Sequence, residues 1–216
     1  MAVTAHLDSS FAGHGLACRR GERLVFSDLD FAVGGGGALV LTGPNGSGKS
    51  SLLRLMAGLA PPARGEFRWD GEAIAEDPTR HRARLHFIGH ADALKPALTV
   101  AETLAFWAGM RGGAAIEAAL DRFRLGALAS LPCRFLSAGQ RRRVALARLV
   151  ASSAALWLLD EPLTGLDDES ILDLIDAIED HRAGGGRIVL STHAPIALGA
   201  AETLSLADFV AVAEPA

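Results

Sequence analysis

The sequence predicts an α/β fold with a parallel sheet and an inserted helical region, on three observations. A short apolar run, Ala38-Leu39-Val40-Leu41-Thr42, enters a glycine-rich loop that opens a helical stretch. A second apolar run, Ala155 to Leu159, has the pattern of a strand buried on both faces and ends in two acids. The order strand, glycine loop, helix, helical region, strand, helix, strand belongs to α/β units around a parallel sheet.

Residues 1–42 alternate apolar and polar positions around Gly and Asp turns, as strands do, most clearly over 24–33. The four glycines at 34–37 read as a hairpin tip. Residues 50–59 have helical spacing and stop at Gly58 and the pair Pro61-Pro62. Strand-like pieces follow around 66–71 and 85–89. From Val100 to about Leu128 the pattern is helical, broken at Gly112-Gly113. A further helix is expected from Ala138 to Ala151, with Ser137 as its N-cap. After the strand at 155–159 come a helix over 168–182, a glycine loop, the strand Arg187 to Ser191 and a weak tail. No internal repeat or interdomain linker stands out.

The 216 residues suit one domain, and the net charge of −4 argues against non-specific nucleic-acid binding. Cys18 and Cys133 form no CxxC and nothing before them resembles a secretory signal. Both are expected to be buried small hydrophobes in a reduced, cytoplasmic setting. No apolar stretch reaches the ~20 residues a span needs, so any transport requires a separate membrane partner. The seven histidines show no metal-ligand spacing. Among 21 basic residues only Lys49 and Lys95 are lysines, which makes Lys49 conspicuous.

Lys49 lies in Gly43-Pro44-Asn45-Gly46-Ser47-Gly48-Lys49-Ser50, followed by Ser51, between the first predicted strand and its helix. Glycines at this spacing let successive N–H groups point into one concavity, and the helix start adds positive potential. Lysine then reaches the terminal phosphates of a nucleotide and the Ser50 hydroxyl suits Mg²⁺. The strand ending in Asp160-Glu161 supplies the second half. Asp160 suits the Mg²⁺ shell, and Glu161 is placed to polarise an attacking water.

Leu136-Ser137-Ala138-Gly139-Gln140 opens a basic helix upstream of Asp160, and this pentapeptide resembles the signature of ATP-binding-cassette (ABC) ATPases. Leu163-Thr164-Gly165-Leu166-Asp167 and Ser191-Thr192-His193 are similar to that family's D-loop and switch histidine. The motifs occur in the family's order across nearly the whole chain. The basic run Arg141 to Arg143 is read as a solvated or salt-bridged helix face.

The resemblance implies one ABC ATPase domain over 1–216, built on a P-loop NTPase core. It also implies an N-terminal antiparallel β subdomain and a helical subdomain inserted at about 91–150. Glu161, His193 and Lys49 would be catalytic, and Asp167 would couple sites. Two copies of the chain would sandwich two ATPs, with Ser137 and its helix N-terminus facing the other copy's γ-phosphate.

Two positions depart from the family's pattern. The usual aromatic that stacks on adenine is replaced near Arg20, whose guanidinium either stacks on the purine or is simply solvent-exposed. The glutamine that follows the strand entering the helical subdomain is replaced by His90, read either as a coupling or as a structural histidine. The segment Ala91 to Trp107 carries Leu94, Leu98, Phe106 and Trp107, a surface for a membrane partner or subdomain core. Within the family, the texture of 87–107, 135–149 and 156–167 resembles the ATPase subunits of cytochrome c maturation, the haem-exporter type. That resemblance implies integral membrane subunits of CcmB/CcmC type and a peripheral place on the cytoplasmic face of the bacterial inner membrane. It also implies release of haem-loaded chaperone. An ATPase of another ABC exporter or importer is the alternative. A soluble ABC ATPase acting on DNA or ribosomes would need coiled-coil insertions or a second cassette.

Overall fold

A computed structural model of the chain describes residues 10–113 and 116–209. The expected strand pattern over 1–9 and the helical reading of Ala114-Ala115 lie outside the described residues. Five strands form one parallel sheet in the order β6 (Leu85–Ile88), β7 (Leu156–Asp160), β8 (Arg187–Ser191), β3 (Ala38–Thr42), β9 (Glu202–Ser205). The second sheet is antiparallel, ordered β2 (Arg23–Gly34), β1 (Ser10–Arg20), β4 (Arg64–Trp69), β5 (Glu72–Ala73).

Side chains of the parallel strands alternate between two cores, as the two-residue period of a strand requires. Ala38, Val40, Trp157, Leu159, Ile188 and Leu190 face one cluster. There they meet α3 (Val100–Gly109), α4 (Ile116–Arg122), α5 (Ala138–Ala151) and α6 (Asp168–Ala183). Leu39, Leu41, Leu156, Leu158 and Val189 face the other, shared with the antiparallel sheet and α1 (Lys49–Met56). All five residues of β7 are buried, which explains its unbroken apolar run. Cys18 and Cys133 are both buried, as expected.

Four expectations are corrected. The glycines at 34–37 are not a hairpin tip, because β2 and β3 belong to different sheets. Gly36 donates to Gly186 O and Gly37 O accepts from Ile188 N, so the turn carries the chain from one sheet to the other. The helical pattern from Val100 breaks at Gly109, resumes at Ile116 and ends at Arg122, with Arg124 at φ 50° and a 3-10 turn at Gly126–Leu128. The weak tail contains β9, paired beside β3. The stretch between β5 and β6 holds a short helix, α2 (Pro78–Ala83), capped by Asp77.

His81 and His86 are buried and His181 is half-buried. His86 on β6 bonds Ser152 O at 3.0 Å, and burial pushes its pKa down to about 4. His81 and His181 are lowered by burial as well. The unfolded chain therefore binds protons from pH 6.5 downward that folded His86 refuses until about 4, and stability falls with pH through that window. Thermal melting should give a clearly lower Tm near about pH 5 than near about pH 7.5. An unchanged Tm would place the histidines in a wetter interior.

Candidate active site

The phosphate loop leaves β3 at Gly43 and turns into α1 through Gly48, which takes φ 106° as the helix N-cap. A side chain at Gly48 would put a Cβ 2.8 Å from Val25 Cγ1 and 3.0 Å from Phe26 Cδ1, so sterics as well as φ require glycine. Side-chain capping is absent at this helix start, which leaves its amides directed at a ligand. Lys49 is buried, and its Nζ donates to Gly43 O at 2.8 Å and Pro44 O at 3.3 Å.

Adjacent strands bring the acids to this loop. β7 delivers Asp160 directly opposite Ser191 of β8. Asp160 Oδ1 accepts from Ser50 Oγ at 3.0 Å and from Ser191 Oγ at 2.8 Å. Glu161 follows at φ 49°, the left-handed region that is costly for a glutamate. Its amide donates to Ser191 Oγ at 3.0 Å.

His193 stands between the lysine and the glutamate. Its Nε2 lies 3.2 Å from Lys49 Nζ and 3.3 Å from Glu161 Oε1. An ammonium only donates and a carboxylate only accepts, so that single nitrogen satisfies one of them at a time, according to tautomer. Glu161 Oε1 makes no well-directed hydrogen bond although it is buried. Ser47 Oγ is likewise buried without one.

Gly48, Lys49, Ser50, Glu161 and His193 line a cleft of about 330 Å³ together with Arg20, Val25, Asn45, Gly46, Ser51, His90 and Thr164. The structure thus gathers the phosphate loop, Glu161, His193, Arg20 and His90 around one cavity. Its flat side chains are the Arg20 guanidinium and the imidazoles, since no other aromatic lines it. The oxygen pair Ser50 and Asp160 is a hard donor set that fits Mg²⁺.

The signature residues do not line this cleft. Ser137 caps α5, accepting from Gln140 N at 3.2 Å while Gln140 Oε1 accepts from Ser137 N at 2.8 Å. Leu136 is buried in the core, and Ala138 and Gly139 begin the exposed first turn. A Cβ on Gly139 would meet Gly165 O at 3.1 Å, which seats the signature against the D-loop segment. Asp167 caps α6 by accepting from Ser170 N at 2.8 Å. Hydrogen bonds from Ser170 hold its carboxyl below the ordinary range.

Residues 26–164 match the profile of ABC transporters. The chain is 57% identical over 213 residues to "Cytochrome c biogenesis ATP-binding export protein CcmA" of Paramagnetospirillum magneticum, covering 96% of this chain and 98% of the relative. The chain belongs to the ABC transporter family. It is an ABC ATPase and binds ATP. A Pyrococcus furiosus ABC transporter ATP-binding protein shares the fold at TM-score 0.83 and 21% identity, with 94% of this chain and all of that one covered. So does an ATP-binding cassette solved as a dimer in a post-hydrolysis state with ADP and Pi, at TM-score 0.76 and 23% identity, covering 85% of this chain and 88% of that one.

Against the ABC motifs, sequence reasoning missed two contributions. Ser191, two residues before His193, bridges Asp160 to the Glu161 amide, a contact that only the β7–β8 register reveals. Arg142, expected on a solvated or salt-bridged helix face, does pair with Asp92 but is buried beneath the two acids.

Proposed function

We propose that this chain is the ATP-hydrolysing subunit of a membrane complex for c-type cytochrome biogenesis. Two copies sandwich two ATPs and work with integral membrane subunits of CcmB/CcmC type on the cytoplasmic face of the bacterial inner membrane. The observation that carries this reading is the 57% identity to an export protein of that name, spread over 96% of the chain. No helix among the described residues is long and apolar enough to cross a membrane, which fits a peripheral subunit. Deleting the gene should remove c-type cytochromes from haem-stained membranes, and wild-type chain but not Lys49→Ala should restore them. Normal c-type cytochromes in the deletion strain would turn the reading to another ABC exporter or importer.

Each side chain has a task in this reading. The loop amides over 43–51 and Lys49 hold the β- and γ-phosphates. Ser50 and Asp160 hold Mg²⁺, which neutralises phosphate charge when bound. Glu161 orients and polarises the attacking water, while His193 contacts the γ-phosphate and shares its Nε2 with Glu161 or Lys49. Arg20 stacks on the base. Ser137, Gly139 and the N-terminus of α5 complete the other copy's site. The dimeric cassette with ADP and Pi supports the pairing of two copies by analogy of fold.

His90 lies exposed on the cleft wall and begins the segment toward α3. Along that segment Leu94 packs on the core, Trp107 is covered by Arg148 at 3.7 Å, and Phe106 is 46% exposed. We assign His90 to coupling between the γ-phosphate and this partner-facing segment. His90→Gln, which keeps one hydrogen-bonding group, should retain most activity stimulated by the membrane subunits. His90→Ala should keep ATP binding and lose that stimulation. Wild-type stimulation in His90→Ala would make the residue structural.

A further inference from the structure

The second turn of α5 sends an arginine side chain inward, where a guanidinium is rarely found. Arg142 is 5% exposed, and all three of its nitrogens are used. Nη2 donates to Asp160 O at 3.1 Å and Glu161 O at 2.8 Å, and Nε to Pro162 O at 3.4 Å. Nη1 donates to Gly89 O at 3.0 Å and to Asp92 Oδ1 at 3.3 Å. His90 sits between those last two anchors.

Seating the helix does not require this arrangement. α5 already has a complete capping box and places Val144, Leu146, Ala147 and Leu149 in the core. An apolar side chain here would leave the carbonyls of Gly89, Asp160, Glu161 and Pro162 without this donor, so the guanidinium serves the loops that it spans rather than the helix. Its geometry is better explained by Glu161. A glutamate at φ 49° persists only where its surroundings over-determine it. Ser191 pins the amide before its Cα, and Arg142 pins the carbonyl after it. The carboxylate is thereby aimed at the cleft, while the same fork fixes the loop that bears His90.

We infer that Arg142 is a positioning residue for hydrolysis: it holds Glu161 and the His90 loop in register by clamping the backbone at 89, 160, 161 and 162. This rests on the reading of Glu161 as the water-polarising group. Lysine cannot replace it, because a single ammonium lacks the planar fork that spans both segments.

The test uses Arg142→Lys and Asp92→Asn in the full chain, with Mg-ATP turnover, the dissociation constant of a fluorescent ATP analogue and Tm measured together. Arg142→Lys should lower kcat by about 10- to 100-fold, the scale of a misplaced reacting group, while nucleotide affinity changes by less than about two-fold. Asp92→Asn, which loosens only the loop arm, should lower kcat by about three-fold at unchanged affinity. In a Glu161→Gln background Arg142→Lys should add less than about two-fold, because both changes act on one step. Wild-type kcat in Arg142→Lys, or affinity falling in parallel with kcat, would overturn the inference. Should Arg142→Lys fail to fold, Asp92→Asn decides alone: reduced kcat at constant affinity supports the clamp, and wild-type kcat refutes it. Failure of the underlying reading looks different, since Glu161→Gln would then hydrolyse ATP normally with Arg142 intact.

Discussion

Replacing Lys49 by alanine is expected to abolish ATP hydrolysis and sharply weaken ATP binding while leaving the fold in place. Lys49 Nζ is a donor-only group held by Gly43 O and Pro44 O of the loop that it serves. Hydrogen bonds to charged groups contribute about 1.5–3 kcal/mol each, so losing the phosphate contact should weaken ATP by about 10- to 100-fold. Hydrolysis suffers more, because charge on the phosphates must be held most firmly as the bond to the leaving oxygen breaks. α1 keeps Leu52, Leu53 and Met56 fully buried, so Tm should change little. Equilibrium binding, turnover and Tm on one preparation check all three. Wild-type turnover in that variant would remove the phosphate loop from the chemistry.

The phosphate loop was legible because its information is local. Gly48 is required by its own φ and by close neighbours, and the strand before it and helix after it have their own periodicities. The same holds for β7, whose burial on both faces is written as an unbroken apolar run. Position in a motif was less informative where the outcome depends on distant pairing. The glycines at 34–37 look identical whether the next strand pairs back or joins another sheet, and the bonds from Gly36 N to Gly186 O and from Ile188 N to Gly37 O distinguish them. Residues 202–205 lack a strand's pattern because an edge strand with exposed positions needs none.

Charge was the least transparent signal. Arg141, Arg142 and Arg143 are consecutive, yet successive helical residues point about 100° apart, so one of three reaches the interior. Arg141 turns back to Leu136 O at 2.7 Å and Arg143 to Phe123 O at 3.3 Å. Which of them is buried depends on the carbonyls after β7, and these come from another part of the chain. Ser191 was hidden for the same reason, since its partner Asp160 is 31 residues away. Asp167 carries an evident local task as the α6 cap, so its removal would disturb that helix start whatever else it does.

Glu161→Gln is the second large effect and bears on the account as a whole. Glutamine keeps the shape and the backbone anchors to Ser191 and Arg142 but cannot act as a base toward water. Nucleotide binding should persist, and turnover should fall by about 100-fold or more, the upper part of the range for lost proton transfer. If each ATP lies between the phosphate loop of one copy and Ser137 of the other, uncleaved ATP then locks the two copies together. The decisive measurement is the mass in solution of Glu161→Gln by light scattering, with and without saturating Mg-ATP. The account predicts a shift from the 22.5 kDa monomer to a species of twice that mass that decays only as ATP is slowly hydrolysed. A variant that binds ATP, fails to hydrolyse it and remains monomeric would contradict the shared site.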